Sequence, residues 1–156
     1  MDPQQSESDP VNHPSHYRSD PSGYECIEIT RVLPYDIGNA VKYVWRYRLK
    51  GHPLEDLKKS QWFLTDSLRS FTDGFNEIDF FEIVGELTGG LSWGDSRHSV
   101  RNVSEWRAAV REVGRFHDES GHPLEHAFFD RLENGDVAGM LRVVNAMIAS
   151  EESDDQ

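Results

Sequence analysis

A single cysteine, Cys26, stands among the 156 residues, so neither an intramolecular disulfide nor a cysteine-rich zinc site can be built. No stretch approaches the roughly 18 consecutive apolar residues of a membrane span. The start, MDPQQSESDP, lacks the basic end and apolar run of a signal peptide, so a cytoplasmic protein is expected. Positive charge is scarce: 16 Lys and Arg face 28 Asp and Glu, for a formal net charge of -12. That balance argues against a general nucleic-acid coat, whose affinity comes from neutralising phosphates. Also absent are the GxxxxGK[ST] phosphate loop, any motif supporting Ser-His-Asp catalysis, and any strong period-2 strand pattern. Gly89-Gly90 has neither the lysine nor the preceding apolar strand that a phosphate loop needs.

What is present is 37% hydrophobic residues, with 4 Trp, 5 Tyr and 8 Phe, enough for a globular core in a chain of one-domain length. The charge is unevenly spread. Residues 11 to 70 carry nine bases and seven acids, whereas the residues after 70 carry seven bases and eighteen acids. Any anion-binding surface therefore belongs to the first half.

Helical periodicity dominates, and the predicted class is all-α: a helical hairpin module followed by a second, C-terminal helical group. Residues 1 to 11 and 150 to 156 are polar, acidic ends expected to lack order. The module spans 12 to 71 and the acidic helical region 72 to 149. Within the module, a Pro- and Ser-rich loop over 13 to 23 precedes a short helix from Tyr24 to Leu33, stopped near Pro34. A helix from Gly38 to about Lys50 follows, ended by Gly51 and Pro53, and another runs from about Leu54 to Phe71 with Leu57, Leu64 and Leu68 on one stripe. Helices are expected further on at about 76 to 88, 103 to 119, and 122 to 149 with a break near Asn134-Gly135. Ser104 and Asp136 are the expected N-caps, residues 89 to 102 read as a Gly- and Ser-rich loop, and Ile78 to Val84 fits helix or strand.

The basic face of the hairpin is the sharpest chemical feature. Lys42, Arg46 and Lys50 follow one another by single turns, and Lys58 and Lys59 return on the partner helix, a spacing that can hold a phosphate through an Arg fork and Lys point charges. The same spacing also describes an ordinary solvated helix face. Asn39, Tyr43, Trp45 and Tyr47 lie among these cations and offer the amide and aromatic surfaces that a nucleobase needs. Trp45 shares a face with Val41 and Val44 and is expected in the core, leaving Tyr43 and Tyr17 as stacking candidates. His13 and His16 are one turn apart in a loop, which suits closing over a phosphate or base better than a two-ligand metal site. Glu25 with Glu28, and Glu55 with Asp56, could hold Mg²⁺ if they faced each other, as in all-α nucleoside triphosphate pyrophosphohydrolases. Glu82 with Glu86 is a further helical pair, better read as solvation. His117-Asp118 stands without a second ligand cluster.

Five motifs occur in one order: NHPSHY at 12 to 17, ECIEI at 25 to 29, GNAVKYVWRY at 38 to 47, Lys50-Gly51, and LEDLKKSQWFL at 54 to 64. Over residues 12 to 69 they resemble a family of small bacteriophage proteins, a phage domain of unknown function that includes the nucleotide kinase of a podophage infecting enteric bacteria. The resemblance implies a nucleoside or deoxynucleoside monophosphate kinase without a phosphate loop, or at least a nucleotide-binding protein, in the host cytoplasm. By motif position it points to His13, His16, Tyr17, Glu25, Asn39, Lys42, Tyr43, Arg46, Lys50, Glu55, Asp56, Lys58 and Lys59. Among these, Lys42, Arg46 and Asp56 are the expected catalytic set. Lys42 and Arg46 would take phosphate, and Asp56 would orient a lysine or act as base. His16, Tyr17, Asn39, Tyr43, Lys50, Lys58 and Lys59 are expected to bind the nucleotide, Asn39 and Tyr17 at its base or sugar. No protein-bound metal is expected, though Mg²⁺ could arrive with the nucleotide. A non-catalytic nucleotide-binding or host-interaction module and Mg²⁺-dependent pyrophosphate removal remain as alternatives. Partners are expected to be mono- or triphosphate nucleotides, further copies of the chain in a homo-oligomer, and a host protein on the acidic half.

Overall fold

The computed structural model describes residue 20 and residues 22–70, 77–89 and 100–154, and among them it contains helices and no strand. In chain order the helices are α1 (Cys26–Thr30), α2 (Tyr35–Arg46), α3 (Pro53–Ser70), α4 (Glu77–Gly89), α5 (Val103–Glu119), α6 (Pro123–Glu133) and α7 (Val137–Asp154). The all-α expectation holds, and the ambiguous stretch Ile78 to Val84 is helical within α4. None of these helices is long and apolar enough to cross a membrane.

Pro34 occupies the N-cap of α2, so the proline that ends the preceding turn also opens the next helix. This helix consequently starts at Tyr35, three residues before the expected Gly38. Asp136 caps α7 as expected: the Gly139 N–H donates to Asp136 Oδ1 at 2.8 Å. The cap of α5 is Asn102 rather than the expected Ser104, its Oδ1 accepting from the Glu105 N–H at 2.9 Å. Glu105 returns the favour by accepting the Arg101 N–H at 2.7 Å, so the extended Asn102 serves the first turn and Ser104 lies inside the helix.

α7 continues through Asp154, beyond the break from helix to tail expected at residue 150. Acidic residues at a helix C-terminus oppose the macrodipole. Packing of α7 along α3 compensates, with Gln61 Nε2 donating to Asn145 Oδ1 at 2.8 Å and Lys58 Nζ lying 3.9 Å from Glu152.

Neighbouring helices pack in the order α2, α3, α7, α6, α5, and α1 touches both α2 and α5. The hairpin and the C-terminal helices share one hydrophobic core, in which Ile29, Ile37, Val41, Leu57 and Leu64 meet Trp106, Val110, Phe128, Leu132, Met140 and Val144. Trp45 belongs to it, packing edge-on against Phe129 with centroids 5.7 Å apart. Ser60 Oγ donates to the Ala40 carbonyl at 3.0 Å, which fixes how α3 crosses α2. Between α6 and α7 the chain turns at Gly135, where φ is +68° and a Cβ would sit 3.0 Å from the Phe80 ring, so both the backbone and the close approach of α4 require glycine.

Candidate functional site

The facing sides of α2 and α3 carry a cluster organised around Tyr43. Its ring stacks on Phe63 with centroids 6.0 Å apart and planes 15° from parallel. Three cations gather on the same ring: Arg46 at 4.7 Å, Lys42 at 4.8 Å and Lys59 at 5.5 Å from the centroid. The i, i+3 spacing of Tyr43 and Arg46 on α2, and the return of Lys59 on α3, bring these charges together. Phe63 is also the centre of an aromatic group, meeting Tyr35 edge-on at 6.1 Å and Trp62 edge-on at 5.1 Å. Tyr35 is 77% exposed and Trp62 62% exposed, unusual for rings of this size.

The remaining expected site residues fall into different environments. Asp56 is buried and accepts from Arg46 Nη2 at 3.1 Å, while its Oδ2 has no hydrogen-bond partner among the described residues. It therefore orients Arg46. Asn39 spends its amide on the Tyr35 carbonyl at 2.8 Å. Lys59 pairs with Glu55 at 3.0 Å, which holds the Glu55 carboxyl below its ordinary range. Both partners are largely exposed, as are Lys58 and Glu152, so salt screens these pairs and an incoming polyanion can displace them. Lys50 is exposed in the turn after α2 and is not among the cations on Tyr43. His13, His16 and Tyr17 lie outside the described residues. Tyr47 is buried and turns away from the cluster to bond with α6, so it offers no stacking face.

The carboxylates proposed to face one another do not converge. Glu28 closes a capping box with Glu25 at the start of α1, while Glu55 and Asp56 are engaged by Lys59 and Arg46. No group of three His, Cys, Asp or Glu suited to a metal ion occurs among the described residues.

A second polar cluster was invisible to sequence reasoning, because its members come from four separate segments. Glu125 at the start of α6 accepts from the Tyr47 hydroxyl at 2.6 Å, from Arg48 Nε, and from His117 Nδ1 at 2.8 Å. The other His117 nitrogen bonds to Asp20 at 2.6 Å. Burial disfavours a charged imidazole, but hydrogen bonds to the two carboxylates outweigh it and raise the His117 pKa to about 9. Burial would likewise raise Glu125, but donation from His117, Tyr47 and Arg48 lowers it to about 2. Burial first, and then the Glu125 carboxylate, raise the Tyr47 hydroxyl. With both imidazole nitrogens and both Glu125 oxygens engaged, the cluster is an ionic clamp.

Residues 11–65 match DUF3310, a protein family of unknown function. No curated protein and no solved structure matches the chain. The DUF3310 region contains Asp20, α1, α2 and most of α3, hence all the residues gathered around Tyr43. His117 and Glu125 lie outside it, so the clamp fastens the DUF3310 region to the C-terminal helices.

Trp62, Phe63 and Tyr35 were missed by sequence reasoning. A signal for Trp62 did exist: it follows Leu54 and Lys58 at successive i+4 steps, off the Leu57–Leu64 stripe that enters the core.

Proposed function

We propose that the protein binds a nucleoside monophosphate on the α2–α3 face and transfers a phosphoryl group to it. The observation that carries this reading is the convergence of Lys42, Arg46 and Lys59 on Tyr43, with the exposed Tyr35 ring meeting the Phe63 on which Tyr43 stacks. Cations supply the phosphate site, Arg46 as a fork held in place by Asp56 and the two lysines as adjustable point charges. Tyr43 is already covered by Phe63 and the cations, so its part is to gather charge. Tyr35 offers the open ring for the base, one helical turn from Asn39. The bacteriophage-family resemblance of the same segment supplies the reaction class.

The chemistry asks little more of the protein. A phosphate monoester loses its second proton with a pKa near about 6, so the attacking oxygen is already anionic at neutral pH and needs no general base. Asp56, fixed on Arg46, is then a positioning residue. Positive charge and alignment account for most of the catalysis of phosphoryl transfer, and both are what this face offers.

The test is diphosphate formation from a nucleoside monophosphate and a Mg²⁺ nucleoside triphosphate, resolved by thin-layer chromatography. Lys42→Ala should lose turnover while keeping its helical circular dichroism, because Lys42 is not one of the core residues. Equal diphosphate formation by variant and parent would remove the proposal. Arg46→Ala is the poorer probe, since it leaves the buried Asp56 unpaired at a cost of about 3–5 kcal/mol.

A further inference from the structure

We infer that the groove beside Trp62 is the triphosphate donor subsite, taking the donor base on the exposed indole and its phosphates on Lys58 and Lys59. This rests on the nucleotide reading of the α2–α3 face. The groove is shallow and open to solvent, spans about 540 Å³, and is lined by Leu54, Glu55, Lys58, Lys59 and Trp62. Its volume falls within the roughly 300–1,000 Å³ typical of small-molecule sites. Leu54 and Trp62 provide apolar contact for a base, and two lysines lie between them along α3, Lys58 one turn from each and Lys59 one turn before Trp62. A flat, stackable, polyanionic ligand matches that combination. Lys58 and Lys59 pair with exposed, screened carboxylates, Glu152 and Glu55, which a polyphosphate can displace.

Lys59 connects the two subsites. It lines the groove and also lies over the Tyr43 ring with Lys42 and Arg46. Trp62 and Tyr35 both meet the Phe63 ring edge-on, so the two bases would lie on neighbouring rings and their phosphates would meet at Lys59. In the transfer, an anionic oxygen of the monophosphate forms a bond to the donor's γ-phosphorus. The bond from that phosphorus to the β–γ bridging oxygen breaks, and its electron pair stays on the departing diphosphate. Two nucleoside diphosphates result, with no proton or electron left over. Lys59 can neutralise the charge that shifts onto the bridging oxygen.

The experiment is calorimetric titration of the full chain with a non-hydrolysable Mg²⁺ triphosphate analogue and, separately, with a nucleoside monophosphate. Trp62→Leu should weaken the analogue about tenfold, the scale of one base–aromatic stack, and leave monophosphate affinity unchanged. Trp62→Phe should restore most of the analogue affinity. Because Trp62 is exposed, circular dichroism and melting temperature should match the parent. Unchanged analogue affinity in Trp62→Leu overturns the donor subsite, as does equal weakening of both ligands. Parent protein that binds monophosphate but no analogue also overturns it while leaving the monophosphate reading intact, and failure to bind either ligand removes both.

Discussion

Neutralising His117 should strip the protein of much of its stability, with a pH signature that follows from the clamp. Free histidine titrates near 6.5, whereas His117 in the fold titrates at about 9. Below about pH 6.5 the imidazole is charged in both folded and unfolded chains, so the contribution is fully present. It fades as pH rises through 9, when the imidazole gives up one of the two N–H groups that join it to Asp20 and Glu125. The difference corresponds to about 3 kcal/mol, a large part of the 5–15 kcal/mol typical of a domain. His117 is 12% exposed and both carboxylates 3% exposed, so solvent screening reduces this little. The assay is urea denaturation at pH 6 and pH 9.5 on the parent and on His117→Gln. The parent should lose about 3 kcal/mol more than the variant across that interval, which cancels every other titrating group. Equal losses in the two proteins would refute the clamp.

Other outcomes follow from the same geometry. On the acid side the sign reverses: Glu125 is depressed from 4.5 to about 2, so its contribution is present above pH 4.5 and disappears as pH falls towards 2. Glu125→Gln should therefore flatten the acid limb of the stability curve measured by fluorescence. Leu57→Ala, at a fully buried position where α3 meets the core, should cost about 2–5 kcal/mol in denaturant midpoint analysis. Asp136→Ala removes the α7 cap and should cost about 1 kcal/mol by the same method.

Much of the helical pattern was written locally in the sequence. Apolar spacing located the hairpin and the C-terminal helices, and the Asn134-Gly135 break was legible because glycine supplies the positive φ that ends α6. Asp136 declared itself as a cap by position. Asn102 did not, because whether Asn or Ser takes the cap depends on the backbone conformation that places an oxygen against the Glu105 N–H. Likewise the acidic end of α7 reads as a tail in isolation and is helix in the fold, since the cost of its charges is met by packing on α3.

Charge type and helical spacing by themselves determined that Lys42 and Arg46 share a helical face and that bases outnumber acids over residues 11 to 70 but not after them. Tertiary structure decided which charges act together. Asp56 meets Arg46 because α3 folds back on α2, a ten-residue separation that periodicity along one helix cannot relate. Lys59 joins the Tyr43 cluster by the same crossing, while Tyr47, similar in sequence context to Tyr43, is drawn into the core by Glu125 seventy-eight residues away. The physical reason is that periodicity specifies which face a residue occupies, whereas burial of the shared core specifies what that face meets.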